Sequence, residues 1–424
     1  MIKKITQALF CLYLICQQAV LAESVPRSDA AEALYAKYKQ AVLQVRIIDK
    51  TSQSKSVIGS GFFISRDGYV ISNFHVISDW IYKPERYEIR YLLNNKEEGR
   101  LDPVVIDIVH DLALLKADRN SDVWFKLLDR DLIQGEHLYS FGNPHDIGFS
   151  IVEGTYNGYL EKSLYKKIHF TGSVNPGMSG GPVVTRQGRV AGVNVSGAGN
   201  QLSFLVPSEY VRHLIESSMA PKGKQSFLAM IRDQLLSNQD GYMGELLKRS
   251  FNLIALNGYT LPGKLAEFMK CWGGTEKKEK MLYEQTYQIC RTEDDIYLSP
   301  GQRTGVIEYE HDLYRNGGLG TVRFFALMEE IVNQPKVAGF ADEEMVTDYE
   351  CQTGQVKHEG VKSKLVFCLR GYRKFAGLYD AWMTAVVLAD KEEVLQTTVS
   401  LLGVSYENAI RFSKAWMERV RWNP

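Results

Sequence analysis

Three short segments carry side chains that can activate a hydroxyl. The first runs Gly59-Ser60-Gly61-Phe62-Phe63-Ile64 and continues to Asn73-Phe74-His75-Val76. The second is Asp107-Ile108-Val109-His110-Asp111-Leu112-Ala113-Leu114-Leu115-Lys116, and the third is Asn175-Pro176-Gly177-Met178-Ser179-Gly180-Gly181-Pro182-Val183. A serine hydroxyl is a weak nucleophile until an imidazole takes its proton and a carboxylate fixes the imidazole's tautomer. His75, Asp111 and Ser179, in that chain order, supply those groups. The glycines around Ser179 permit a tight turn whose N–H groups can point at a developing oxyanion. Among the competitors, His110 has no matching segment and Asp107 reads as a turn residue. Ser173 and Ser196 each have one adjacent glycine but lack the flanking glycine pattern of Ser179. Gly177-x-Ser179-x-Gly181 also fits the nucleophile elbow of α/β-hydrolases. That elbow needs a helix after the serine and the order Ser, acid, His, whereas Pro182 and a β-rich run follow here.

The elements that must position these groups are short and β-rich. Runs at 41–48, 56–64, 69–72, 87–93, 104–109, 112–116, 137–141, 168–171, 181–185, 190–195 and 202–206 are separated by turn signals, Asp67-Gly68 among them. Many short strands without alternating helices predict an antiparallel barrel or sandwich. Pro207-Ser208 opens a helical stretch over 209–217 with Val211, Leu214 and Ile215 on one face.

Together the three segments resemble those of the trypsin/chymotrypsin-fold serine peptidases, most closely the bacterial HtrA-like (Deg) branch. The resemblance covers about residues 35–215. It implies two antiparallel six-stranded β-barrels, with His75 as general base, Asp111 as its orienting acid and Ser179 as nucleophile. The N–H groups of Gly177 and Ser179 would form the oxyanion hole. Ser173 would lie at the base of the primary specificity pocket, Ser203 and Phe204 would line its far wall, and Val195, Ser196 and Gly197 would offer a strand edge to the substrate backbone. An uncharged Ser173 implies a small or apolar residue before the scissile bond. Met178 departs from the family, where Asn or Asp is usual, and cannot form the ion pair by which a freed N-terminus orders the loop in zymogens. No PDZ domain is recognisable after residue 220.

Residues 1–22 read as a secretory leader: Lys3 and Lys4, a mostly apolar stretch from Ile5 to Cys16, and Val20-Leu21-Ala22 before the expected cleavage. The expected domains are 23–220, the peptidase-like part, and 225–424, an α+β part of unknown role, with the break in Ala220-Pro221-Lys222-Gly223-Lys224. Helix is expected from there to about Lys248. Asp390 and Glu393 form a capping-box pattern that predicts a helix through Leu402, stopped by Gly403, and a last helix starts at Ser405. Cys271, Cys290, Cys351 and Cys368 remain after leader removal, and an even set in an exported chain favours disulfides. Four cysteines allow three pairings. Similar spacing favours the local one, Cys271–Cys290 and Cys351–Cys368, and hints at an internal duplication.

The chain holds 50 Lys+Arg against 50 Asp+Glu, which argues against a nucleic-acid partner. Its 45% hydrophobic and 24% charged residues exclude a mainly disordered chain. No run after the leader reaches membrane-spanning length, so no stable membrane insertion is expected. Cys/His clusters at metal spacing and phosphate-binding glycine loops are missing, so neither metal nor organic cofactor is implied. The reading is an exported, periplasmic or secreted serine endopeptidase acting on peptides or proteins, its oligomeric state open. The alternatives are a non-cleaving peptide-binding or chaperone-like protein, and a C-terminal adhesion or recruiting module that carries a protease domain.

Overall fold

The computed structural model describes residues 29–197, 202–219, 226–278, 280, 282–332, 341, 343–358, 361–387 and 391–422. The expected leader and the expected break at 220–224 lie outside these residues. A first helix, α1 (Asp29–Tyr38), precedes β1 (Val42–Asp49), β2 (Lys55–Phe63) and β3 (Tyr69–Ser72). Helix α2 (Phe74–Tyr82) and strands β4 (Tyr87–Leu93), β5 (Glu98–Asp107) and β6 (Leu112–Ala117) follow. The six strands close in the order β1-β2-β3-β6-β5-β4. Closure leaves no free sheet edge. Residues of β4 alternate between buried and partly exposed, as one lumen-facing side requires.

The second barrel comprises β8 (His137–Gly142), β9 (Ser150–Tyr159), β10 (Ile168–Phe170), β11 (Pro182–Thr185), β12 (Arg189–Gly197) and β13 (Ser203–Pro207). They run β11-β8-β9-β10-β13-β12 and close through β11–β12, while β7 (Lys126–Leu127) adds in parallel to β12. Phe62, Ile71 and Leu114 of the first barrel and Phe141, Val184 and Val193 of the second share one buried cluster. This dry joint fixes the two barrels against each other, and the three chemistry-bearing segments meet above it.

Helix α3 (Ser208–Met219) covers the joint, with Val211 and Leu214 buried. Helix α4 (Phe227–Lys248) follows, Ser226 capping it by accepting the Ala229 N–H at 3.2 Å. Its Ile231 and Leu235 enter the first barrel's cluster, and Tyr242, Met243 and Leu246 enter a C-terminal core. Between them Gln234 donates to Ile106 O at 2.7 Å and accepts from Ile108 N at 2.8 Å, continuing the hydrogen bonding where β5 ends.

The C-terminal half contains β14 (Leu253–Leu256), β15 (Tyr259–Pro262), β16 (Met269–Lys278), β17 (Tyr283–Thr292), β18 (Ile296–Ser299), β19 (Gln302–Thr304) and β20 (Ile307–Asn316). Helix α5 (Thr321–Val332) precedes β21 (Glu350–His358), β22 (Val361–Gly371), β23 (Tyr379–Val387) and β24 (Glu393–Val404). Helix α6 (Tyr406–Met417) and β25 (Arg421–Trp422) end the described chain. An antiparallel sheet runs β16-β17-β20-β24-β23-β22-β21. Ser405 caps α6, as expected, by accepting the Asn408 N–H at 3.2 Å, and Ala409, Phe412 and Trp416 are buried. Disulfides join Cys271 to Cys290 and Cys351 to Cys368, each pair directly opposed in neighbouring strands near the two ends of the sheet.

Three local expectations need correction. The segment from Glu393 is not a capped helix but the strand β24, buried along its whole length; Asp390 lies outside the described residues. Glu393 instead pairs with Arg315 at 2.9 Å. Pairing with β20 and β23 on both sides satisfies the backbone of a strand rich in β-branched residues. The second correction is α2, a short helix within what reads as a β-only region. The third is β9, whose Gly, Asn and Thr content conceals a long strand.

Candidate active site

His75 is the second residue of α2, and its position follows from the start of that helix. Asn73 precedes the helix and donates from Nδ2 to Asp111 O at 2.7 Å. Asp111 closes the turn between β5 and β6 with a left-handed backbone, φ +55°, which Asp tolerates better than most residues. That turn aims its carboxylate back at α2. Oδ1 accepts the His75 backbone N–H at 2.8 Å, and Oδ2 meets His75 Nδ1 at 2.6 Å. One carboxylate thus satisfies a helix-start donor and fixes which imidazole nitrogen bears the proton. Nε2 is left as the nitrogen available for proton transfer.

Ser179 is carried by the loop before β11. Pro176 and Gly177 occupy the centre of a turn closed by Met178 N–H donating to Asn175 O at 3.0 Å. Gly177 has φ +95°, so the turn is type II, with Pro and Gly at their preferred places. A Cβ on Gly177 would lie 2.4 Å from Asn143 O, and one on Gly180, φ +85°, 2.3 Å from Ser60 O; neither position accepts a side chain. His145 N–H donates to Pro176 O at 2.9 Å. The peptide is trans, so the Gly177 N–H points the other way. Among the described residues, neither the Gly177 N–H nor the Ser179 N–H has a protein acceptor.

Ser60 of β2 locks this loop onto the first barrel. Its hydroxyl donates to Gly177 O at 2.7 Å and accepts from Asn143 N at 2.9 Å, while its N–H donates to Ser179 O at 2.8 Å. Asn194 of β12 does the same from the second barrel: its carbonyl accepts the Gly180 N–H at 2.9 Å and its amide donates to Met178 O at 3.3 Å. Met178 is fully buried. The Ser179 hydroxyl donates to Val195 O at 3.1 Å rather than to His75.

The remaining expected residues fall around this centre. Val174 N–H donates to Ser203 Oγ at 3.1 Å, which holds the segment after Ser173 against β13. Ser203 is fully buried and Phe204 faces a cleft beside His75. Val195, Ser196 and Gly197 end β12. They pair with β13 on one side, while pairing with β11 stops at Val193. Asp107 serves its turn by accepting the His110 N–H at 3.1 Å and by meeting His110 Nδ1 at 2.7 Å.

Residues 59–193 match the family model of the trypsin-like peptidase domain. This segment has the trypsin-like peptidase fold. It is homologous to bacterial DegP/HtrA-like serine endoproteases. The chain is 33% identical over 277 residues to the "Probable periplasmic serine endoprotease DegP-like" of Pseudomonas fulva, covering 63% of this chain and 55% of that protein. The protein of the same name from Pseudomonas putida is 29% identical over 281 residues, with the same two coverages. Mouse "Serine protease HTRA4" is 31% identical over 170 residues, 37% of this chain and 34% of that protein. The chain spans about half the length of the first two. A serine endoprotease structure from Yersinia pestis aligns with TM-score 0.39 and 23% identity over 44% of this chain and 66% of that one. Two contributors to the trypsin-like domain went unnoticed in the sequence: the structural role of Ser60, although its Gly-Ser-Gly run stands out, and Tyr297 of the C-terminal half. The Tyr297 ring packs edge-on to His75 at 5.7 Å. No motif surrounds Tyr297.

Proposed function

We propose that the protein is an exported serine endopeptidase. In this reading His75, Asp111 and Ser179 form its catalytic triad, and the Gly177 and Ser179 N–H groups form its oxyanion hole. The observation that carries the reading is the His75–Asp111 pair beside a doubly clamped Ser179 loop with two unengaged N–H groups. A χ1 rotation frees the Ser179 hydroxyl from Val195 O and turns it to His75 Nε2. Oγ then bonds to the substrate's carbonyl carbon as its proton passes to Nε2, and the two N–H groups receive the negative oxygen. Collapse breaks the C–N bond, the amine leaves with the proton from His75, and water repeats the sequence on the acyl-enzyme.

Ser173, Ser203 and Phe204 would bound the primary specificity pocket, and Val195, Ser196 and Gly197 would pair with the substrate backbone. Met178 buried without an ion pair supports activity without cleavage to a defined N-terminus. The names of the DegP-like relatives, the residue pattern at 1–22 and the two disulfides support export, to a periplasmic or extracellular setting. We also assign 23–220 and 225–424 as the two domains. The test is cleavage of a quenched-peptide library. The wild-type chain should cut it, and Ser179→Ala should lower kcat by ~10⁴-fold or more. Equal turnover by the two proteins would remove the assignment.

A further inference from the structure

The hairpin β18–β19 leaves the C-terminal sheet and reaches the trypsin-like domain. Ile296 and Leu298 are buried in the first barrel's cluster, with Phe74 and Ile77 of α2. Just before the hairpin, Asp294 is buried against the second barrel, where it accepts from Ser163 Oγ at 2.9 Å and pairs with Lys167 at 2.5 Å. The hairpin is therefore rooted in both barrels. Tyr297, between the two buried residues, lies edge-on to Phe74 at 6.4 Å as well as to His75. The Arg303 guanidinium lies over the Tyr297 ring at 4.5 Å.

A cleft of about 300 Å³ opens between this hairpin and the trypsin-like domain. His75, Val195, Phe204 and Tyr210 line one side, and Ile296 and Tyr297 the other. Of the cations that line it, Lys166 pairs with Glu209, Lys167 with Asp294, and Arg303 lies over Tyr297; Asp295 also lines it, and most of the remaining lining is aromatic or aliphatic. The end of β12, unpaired by β11 past Val193, runs beside the cleft. An extended peptide added there would turn alternate side chains toward it.

Resting on the peptidase reading, we propose that the β18–β19 hairpin is a specificity element. Tyr297 and Arg303 complete a subsite beside His75 that selects a large apolar side chain of the substrate, aromatic in preference to small. The two halves of the chain would then build one substrate cleft.

The test uses the full chain and quenched peptides in which each of the three residues preceding the scissile bond is switched in turn between Phe and Ala. At one position the wild type should favour Phe by ~10-fold or more in kcat/KM, the scale on which apolar pockets discriminate. Tyr297→Ala should shrink that ratio to about 3-fold or less, and Tyr297→Phe should keep it. Arg303 is exposed, so Arg303→Ala should fold normally and give an intermediate ratio; it serves if Tyr297→Ala does not fold. A ratio unchanged in both alanine variants, with both peptides slowed alike, would mean a merely structural hairpin and overturn the proposal. So would a wild type that cleaves without such a preference. A wild type that neither cleaves nor reacts at Ser179 would instead remove the peptidase reading, and this subsite with it.

Discussion

Asp111 joins a strained backbone to a bidentate role, and its two oxygens have separable functions. Asn at this position would keep an acceptor for the His75 N–H but could offer its amide NH₂ to Nδ1, favouring the wrong imidazole tautomer. Asp111→Asn should therefore fold normally and lose kcat by about 10⁴-fold, with KM little changed. Steady-state kinetics with a near-ultraviolet CD control measures both. A fully buried imidazole elsewhere in the chain has a different consequence. His311 lies in the C-terminal core, stacked on Trp416 at 5.4 Å and donating from Nε2 to Pro262 O at 2.8 Å. Burial pushes it down to about 4, against the smaller opposing effects of the Pro262 carbonyl and Asp312. The unfolded chain, near 6.5, binds this proton more readily, so stability is full above pH 6.5 and falls as pH drops towards 4. The fall amounts to about 3 kcal/mol. Urea denaturation of the C-terminal half across that range should show the loss, and His311→Gln should flatten it; parallel profiles would refute the effect.

The loop bearing Ser179 owes its shape to a neighbouring strand as much as to its own glycines. Ser60→Ala would remove a donor from Gly177 O and an acceptor from the Asn143 N–H, a loss of about 1–3 kcal/mol at a buried site. Its kcat should fall by ~10–100-fold while labelled-peptide affinity stays close to wild type; an unaltered kcat would show that the Pro176–Gly177 turn suffices alone. The two disulfides act within single hairpins. Each closes a loop of 17 or 19 residues and should stabilise the C-terminal sheet by ~3 kcal/mol in the chain-entropy model. Reduction should lower the unfolding midpoint of that half first, as followed by hydrogen exchange in β16–β17 and β21–β22. The residues proposed for the site could be singled out because each stands in a local run with its own turn chemistry, and the local disulfides were legible because their spacing suits a hairpin. The helix expected at Glu393 failed because a capping-box pattern says nothing of distant partners such as Arg315. Ser60 and Tyr297 were opaque for the same reason: their contacts come from far along the chain.

The two halves share structure along α4 and at the β18–β19 hairpin, so the C-terminal sheet is packed onto the trypsin-like domain rather than strung behind it. Gln234 completing the hydrogen bonding of β5 and Leu298 buried beside Ile77 both belong to this contact. Apolar surface of the first barrel is covered only when the C-terminal half is present. No helix among the described residues is long and apolar enough to cross a membrane. Short, regularly spaced strands joined by turn signals made an antiparallel barrel or sandwich legible, while the pair of six-stranded barrels followed from the resemblance to trypsin/chymotrypsin-fold peptidases. The C-terminal sheet could be read only as mixed, since its strand order depends on pairings between distant segments such as β20 with β24. The central claim is that Ser179 is an activated nucleophile, and a fluorophosphonate probe on the full-length chain, followed by peptide mass spectrometry, tests it most directly. The account predicts a single phosphonyl adduct on Ser179 that disappears in His75→Ala; an adduct on another serine, or none on a folded protein, would contradict it.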